Sequence, residues 1–410
     1  MKDKIIVTGI GFISNIGTTL EEYARAREGI NEKLISENNY NPDSFYEISD
    51  FSPKKYINRK LIKSLDLVTR YCISACNLVL KDLGMNNSEK DGKVKFHIGK
   101  HDDDFHYMNN SDIGIISGGM YHGIESIFNI KKEYYEGGIE NVSPLFFPGT
   151  VFNASASQAA IEHHFTGPNS TVNSAMTSGL LAIIKGVQYL RMKRAKLLIC
   201  GASEMKFDYI TYKYHKLGVL SNNIYRPFDT NGDGILLGEG GCYFSLESEQ
   251  EALLHTSQRY AEIISYSSNY CPDIQNFESS IACCINDTLH KDDIDYTALV
   301  DLIIVDGFAK EQFDLKVVNA IKSVFKNTLP YISCNESTIG HTLGASGAFN
   351  VLEGVLSLTH QKVYPIANLQ NVIVDGFKNV SRCSSMPLKY VLIMSIDIFN
   401  MNISCVLLGR

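Results

Sequence analysis

Long apolar runs are missing from this 410-residue chain. No stretch approaches the roughly 20 residues that a bilayer-spanning helix requires, so no membrane association is expected. An excess of positive charge is missing too. Lys and Arg total 38 against 45 Asp and Glu, a formal net charge of −7 that gives no purchase on a phosphate backbone. Nucleic-acid binding is therefore excluded from the expectations. Paired cysteines are absent: the ten are scattered, with no CxxC, which argues against a zinc ribbon or a thioredoxin-like site. Several sit in apolar runs such as Leu-Leu-Ile-Cys200-Gly and Ile-Ala-Cys283-Cys284-Ile, and are expected to be buried reduced thiols. A signal peptide is not expected either. Met-Lys-Asp-Lys-Ile-Ile-Val moves at once into a β-type pattern, so a cytoplasmic location is expected.

A hydrophobic content of 44% with 20% charged residues describes an ordered globular chain long enough for two core-forming units. Short β-rich apolar runs alternate with helical segments, the signature of βαβ units around a buried sheet. In the first part, strands are predicted at Ile5–Thr8, Ile113–Ser117, Ser170–Asn173, Leu197–Cys200 and Cys242–Leu246. Helices are predicted near Leu61–Leu83, Tyr121–Tyr135, Val151–Phe165 and Gly179–Lys193. The second part repeats the order, with strands at Ala261–Ser265, Leu302–Val305, Tyr331–Ser333, Leu392–Ser395 and Ile403–Leu408. Its helices are predicted near Ile274–Leu289, Leu315–Phe325 and Ala345–Thr359. The pattern predicts an internally duplicated α/β architecture with halves at 1–250 and 251–410. The polar segment Lys90–Asp112 reads as a surface excursion. Its His97, His101, Asp102, Asp103, Asp104 and His106 could ligate a metal, but a solvated loop is the favoured reading and no metal is expected.

The chemistry-bearing signal is Thr171-Val-Asn-Ser-Ala-Met-Thr-Ser-Gly179. An apolar strand that enters a helix through small residues makes a sharp elbow. It lifts one side chain to the positive end of the helix dipole, which favours a thiolate there. The residue at that place is Met176, whose thioether has no proton to lose and cannot form a thioester.

Several stretches together resemble the β-ketoacyl synthases of the thiolase fold, over nearly the whole chain. They are Val7-Thr-Gly-Ile-Gly-Phe-Ile-Ser-Asn-Ile-Gly17, Val142-Ser-Pro-Leu-Phe-Phe-Pro148, Phe165-Thr-Gly-Pro168 and Gly201-Ala-Ser-Glu204. The most specific are Arg226-Pro-Phe-Asp-Thr-Asn-Gly-Asp-Gly-Ile-Leu-Leu-Gly-Glu-Gly-Gly241 and Gly340-His-Thr-Leu-Gly-Ala-Ser-Gly347. Within the former, Asp229 and Asp233 lack the distal glutamate of a calcium loop and are expected to form a structural turn.

The resemblance implies a layered α/β fold of mixed sheets and helices, with no cofactor. It also implies a catalytic set: a cysteine nucleophile, two histidines and a lysine. Here the nucleophile position holds Met176, the first histidine position Asp306 and the lysine position Glu336; of the set only His341 remains. The glycine-rich loop that gates the family's site is rewritten as Ser395-Ile-Asp-Ile-Phe-Asn-Met-Asn402. This pattern resembles the chain length factor, or ketosynthase β-subunit, of type II polyketide synthases, with methionine where glutamine is usual.

That likeness implies two partners: a ketosynthase α-subunit in a heterodimer, and an acyl carrier protein bearing malonyl or polyketide chains. A stand-alone decarboxylase or hydrolase acting through His341, Ser174 and Thr177 is the alternative, and a free-standing acyl-binding homodimer is a third reading. In Met120–Lys131 the residues Tyr121, Ile124, Ile127 and Phe128 recur at helical spacing. They form either a core face or, as the resemblance implies for Tyr121, Ile124 and Ile127, the wall of the tunnel that receives the growing chain.

Overall fold

A computed structural model describes residues 3–29, 46–57, 62, 65–90, 93–98, 106–255, 258–326 and 328–410. Ten strands form one mixed sheet: β1 (Ile5–Ile13), β2 (Ile113–Gly118), β3 (Asn169–Val172), β4 (Leu197–Glu204), β5 (Gly240–Ser248), β6 (Ala261–Tyr270), β7 (Leu302–Ile304), β8 (Tyr331–Ser333), β9 (Tyr390–Ile396) and β10 (Asn402–Gly409). Their spatial order is β8-β7-β9-β10-β6-β1-β5-β4-β2-β3.

The two halves of that order match. Strand β2 runs parallel to β3 and β4, β4 antiparallel to β5, and β5 antiparallel to β1. Likewise β7 runs parallel to β8 and β9, β9 antiparallel to β10, and β10 antiparallel to β6. The halves join where Ile5–Val7 pairs with Ala261–Ile263. The duplication expected from element order is thus present strand for strand.

Two helices, Ser178–Arg191 and Ser346–His360, pack on each other and on the sheet in the largest core cluster. Leu180, Ile183 and Val187 of the first and Ala348, Leu352 and Val355 of the second all belong to that cluster. The second helix is buried on every side from Ser346 to Leu358, so its sequence shows little amphipathic contrast. Close approach depends on Gly347, where an added Cβ would stand 2.8 Å from Leu180 Cβ. Both helices open from a single 3-10 turn, Ala175–Thr177 and Leu343–Ala345, and each turn begins in the left-handed region, Ala175 at φ 48° and Leu343 at φ 47°.

Two expectations are corrected. The stretch around Lys90–Asp112 is no bare excursion: Met85–Lys90, Lys93–Ile98 and His106–Asn109 form a three-stranded antiparallel sheet. Phe96, Ile98 and Met108 are buried beneath it, an alternation that the intervening lysines and histidines obscure in sequence. The helix expected from Leu61 starts at Leu67, where the Asp66 side chain caps the Thr69 amide; position 61 lies outside the described residues. His101, Asp102, Asp103 and Asp104 also lie outside them.

A fully buried ion pair ties the N-terminal helix Leu20–Glu28 to the C-terminal half. Arg27 donates to both carboxylate oxygens of Glu353, at 2.7 and 2.8 Å, to Thr338 Oγ1 at 2.7 Å and to the Cys334 carbonyl at 3.2 Å. Such a pair is costly to break one-sidedly, because the remaining charge stays buried without compensation. Glu353→Ala should therefore lose about 3–5 kcal/mol in chemical denaturation. The double change Arg27→Met with Glu353→Leu should recover part of that loss, and a double variant weaker than the single would refute the account.

Candidate active site

The elbow is built locally. Beyond β3 the Ser174 amide donates to Ser178 Oγ at 2.9 Å, Ser178 Oγ donates to the Ala175 carbonyl at 2.6 Å, and Thr177 Oγ1 donates to the Ser174 carbonyl at 2.9 Å. These bonds satisfy backbone groups that a helix start leaves open. They also engage the Thr177 hydroxyl, whose proton is directed to the Ser174 carbonyl, while Ser174 Oγ lies 3.1 Å from Thr177 Oγ1 as an acceptor. Met176 is fully buried, in the apolar cluster that also holds Phe308, Leu343 and Ile398.

Asp306 lies two residues beyond β7, completely buried. Its carboxyl accepts from Asn350 Nδ2 at 2.5 Å, the Ile396 amide at 2.8 Å and Ser395 Oγ at 3.1 Å. Burial pushes its pKa up to about 7, against the pull of those donors toward the anion.

Glu336 opens the helical turn Glu336–Ile339, also fully buried. Its Oε2 accepts from the Gly307 amide at 2.9 Å and meets the Tyr225 hydroxyl at 3.2 Å. The one Tyr225 proton is directed to the Gly307 carbonyl, so the Tyr225 contact suits a carboxyl that carries its own proton. Burial first, and then the nearby Asp306 charge, holds Glu336 well above the carboxylate range.

His341 follows Gly340, whose φ is +80° and where a Cβ would fall 2.7 Å from Gly238 Cα. That contact explains why both glycine motifs occur. The chain turns there so that the His341 amide donates to the Leu236 carbonyl at 2.8 Å, and the Gly238 amide donates back to His341 O at 3.0 Å. The ring Nδ1 accepts the Leu343 amide at 3.1 Å, which leaves the proton on Nε2, 3.5 Å from Glu336 Oε1. Burial drives its pKa down to about 3, so the imidazole is neutral.

The four expected positions therefore gather around one interior point. What they offer is a thioether, two protonatable acids and an uncharged imidazole. No thiolate is available for acyl transfer. The pair of neutral donors that would stabilise an enolate oxygen is reduced to one Nε2–H, and that faces Glu336.

Met120, Tyr121 and Ile124 pack against the same cluster as Met176, and the Tyr121 hydroxyl reaches the Tyr214 hydroxyl at 3.4 Å. The helix itself runs Ile124–Gly137, after Gly123 at φ 77°, so Tyr121 precedes it. Ile127 and Phe128 are 40% and 46% exposed, which corrects the idea of a single buried face. Asp229 accepts from the amides of Asn231, Gln370 and Asn371 and is a structural turn residue. Among the described residues no three His, Cys, Asp or Glu side chains are placed to hold a metal.

Residues that sequence reasoning gave no role include Asn350, Tyr225 and Glu204. Glu204 is fully buried and accepts the Met120 amide at 2.7 Å and the Tyr121 amide at 3.3 Å, and burial lifts it to about 8. Only Glu204 carried a signal, as the single charge in the Gly201–Glu204 motif.

These shifts have a pH consequence. For Asp306 and Asp314, both about 7, and Glu204, about 8, the folded state holds a proton that the unfolded chain has lost. Their contribution is complete at low pH and disappears as pH rises through the folded values. The buried His341 and His163, held near 3 and 4, act in the opposite sense, but only below their unfolded value of 6.5. Thermal stability should thus fall between about pH 6.5 and 8.5. Asp306→Asn should flatten that fall in scanning calorimetry; an unchanged slope would show that Asp306 does not titrate there.

Comparison with known proteins agrees with this geometry. Two family models match: Beta-ketoacyl synthase, N-terminal domain, over residues 2–252, and Beta-ketoacyl synthase, C-terminal domain, over residues 260–370. The 3-oxoacyl-[acyl-carrier-protein] synthase 2 of Synechocystis sp. is 25% identical over 392 residues, covering 90% of this chain and 89% of that one. Its counterpart in Vibrio cholerae is 24% identical over 390 residues, with the same 90% and 89% coverage. Among solved structures, the ishigamide ketosynthase/chain length factor superposes with a TM-score of 0.81 at 23% identity, covering 100% of both chains. A type II PKS acyl-carrier protein in complex with its ketosynthase bound to the hexaketide gives 0.80 at 20% identity, again covering 100% of both chains. These superpositions establish the thiolase-like fold, and the family matches span most of the sequence. The chain belongs to the β-ketoacyl synthase family.

Proposed function

We propose that this chain is a non-catalytic chain length factor that pairs with a ketosynthase α-subunit. The partner's cysteine would carry the acyl chain and condense it with malonyl-carrier protein by decarboxylative Claisen chemistry. This subunit would supply an interface and part of the tunnel wall. The observation that carries the reading is the buried Met176 at an intact elbow, beside Asp306 and a protonated Glu336. A nucleophile and its charge partners are replaced together while the scaffold is kept.

Two surface features support a partner. Large apolar side chains stand exposed from the helix Ile124–Gly137 through the following turns, among them Phe128 at 46%, Tyr135 at 82%, Ile139 at 74% and Phe147 at 70%. A patch of that kind on a soluble surface marks an interaction site. Strand β3, which leads into the elbow, is one edge of the ten-stranded sheet, and its outer side pairs with no strand among the described residues. The acyl carrier protein as second partner draws support from the polyketide synthase complex described above, whose carrier protein sits with its ketosynthase.

Met176→Cys alone should give no elongation when paired with an α-subunit whose own cysteine is removed, since Asp306 and Glu336 still occupy the proton-donor and cation positions. Product formed in that assay would show a more complete catalytic apparatus than the reading allows. Tunnel shaping is tested separately. Tyr121→Ala and Ile124→Ala, half-buried against the Met176 cluster, should lengthen the product made with a wild-type α-subunit, whereas the more exposed Ile127→Ala should act weakly. Removing a buried isoleucine side chain costs about 2–5 kcal/mol, which a large dimer tolerates. If mass spectrometry finds one unchanged chain length at reduced yield, this segment does not measure the product.

A further inference from the structure

The loop between β9 and β10 lies over Met176. Ser395 Oγ at its base approaches the Met176 carbonyl at 3.4 Å, and Ile396 and Ile398 are buried in the same apolar cluster as the Met176 side chain. Three independent restraints hold this cover. Its base is stapled from below, since Asp306 takes the Ser395 hydroxyl and the Ile396 amide. Its tip is seated from the side: Phe399 packs edge-on against Tyr214 with ring centroids 5.6 Å apart, and the Cys271 amide donates to the Met401 carbonyl at 3.0 Å.

Its interior is braced by Asp397. That side chain is fully buried and accepts from the Phe399 amide at 2.8 Å, Asn400 Nδ2 at 3.0 Å and the Asn400 amide at 3.1 Å. The Asp397 amide itself donates to the Asn402 carbonyl at 2.8 Å. No glycine occurs from Ser395 to Asn402, so the segment has no residue that absorbs a hinge rotation without strain.

We propose that this loop is a fixed plug, braced by Asp397, that closes the chain's own interior to a carrier-tethered acyl group. A lid must exchange its contacts for water at small cost. Here opening would strip a staple from a buried carboxyl and an aromatic seat from Tyr214, and would expose Ile398. Asp397 acts as a positioning residue, through the shape it imposes on the loop. If the pairing proposed above holds, the growing chain then enters the shared interior only from the α-subunit side.

The test reads access and needs no condensation activity. A thiol is placed under the plug by Met176→Cys, and a bromoacetyl-pantetheine probe is applied to the folded chain. The exposed native Cys283 serves as internal reference. Peptide mass spectrometry should find Cys283 alkylated and position 176 untouched. Adding Asp397→Gly should raise alkylation at position 176 by roughly tenfold or more, by lowering the cost of local opening. Phe399→Ala, which trims a ring that is 39% exposed, should raise it without threatening the fold. Alkylation of Met176→Cys at a rate near that of Cys283 would overturn the plug, and so would protection that persists in both loosened variants. The chain-length assays above can fail without touching this result, and the labelling can fail without touching them.

Discussion

The buried carboxyl of Asp306 is the interaction on which the rest of the site depends. Placed just beyond β7, it collects a side-chain amide from the central helix Ser346–His360, a hydroxyl and a backbone amide from the end of β9. Ser395 Oγ, whose proton goes to Asp306, also lies 3.4 Å from the Met176 carbonyl, so elbow, strand end and covering loop meet beside one anchor. In a condensing enzyme this position has to face the substrate and remain free to donate. Here all its bonding capacity is directed inward. A group of that kind stabilises when its donors are present and is costly when one is lost, which is how a catalytic position becomes a structural one.

The backbone around the site keeps a strain that this chemistry no longer explains. Ala175, Phe228, Ala309, Leu343 and Met401 all lie in the left-handed region without being glycine, with φ between 47° and 61°. Each costs on the order of 1–3 kcal/mol and persists only where the surroundings over-determine it. Two of them, Ala175 and Leu343, open the two central helices at equivalent points of the duplicated fold. The elbow is thus specified by the packing of those helices against each other as much as by a nucleophile. A methionine at its tip, filling apolar space, leaves that packing undisturbed.

This division explains what could be read from the sequence. Strand periodicity, the elbow and the two glycine motifs are local signals, and they located the main strands of both halves and Met176, while the family resemblance assigned the positions of Asp306, Glu336 and His341. Tertiary context decided the rest. The sheet within Met85–Asn109 alternates, but lysine and histidine on its outer face mask Phe96, Ile98 and Met108. Helical spacing placed Tyr121, Ile124 and Ile127 on one face, yet Gly123 breaks the backbone between the first two and leaves Ile127 half out. Asn350 carries no motif. Its role exists only because the central helix passes Asp306, a contact 44 positions apart in sequence.

A ketosynthase interior has to meet conflicting demands: room for a substrate, a reactive anion, fixed donors and a moving entrance. On the non-catalytic reading proposed above the conflict is removed, and each demand is here resolved toward rigidity. Apolar volume fills the nucleophile position, buried acids are held protonated or fully bonded, and the covering loop is braced from within. None of these changes touches the strand order of the sheet or the large apolar side chains exposed from Phe128 to Phe147, the features on which the proposed pairing would draw. Under the proposed pairing, selection for an interface and a wall without selection for turnover would yield this combination: a site whose acids and imidazole face one another, beneath a surface that carries exposed apolar side chains.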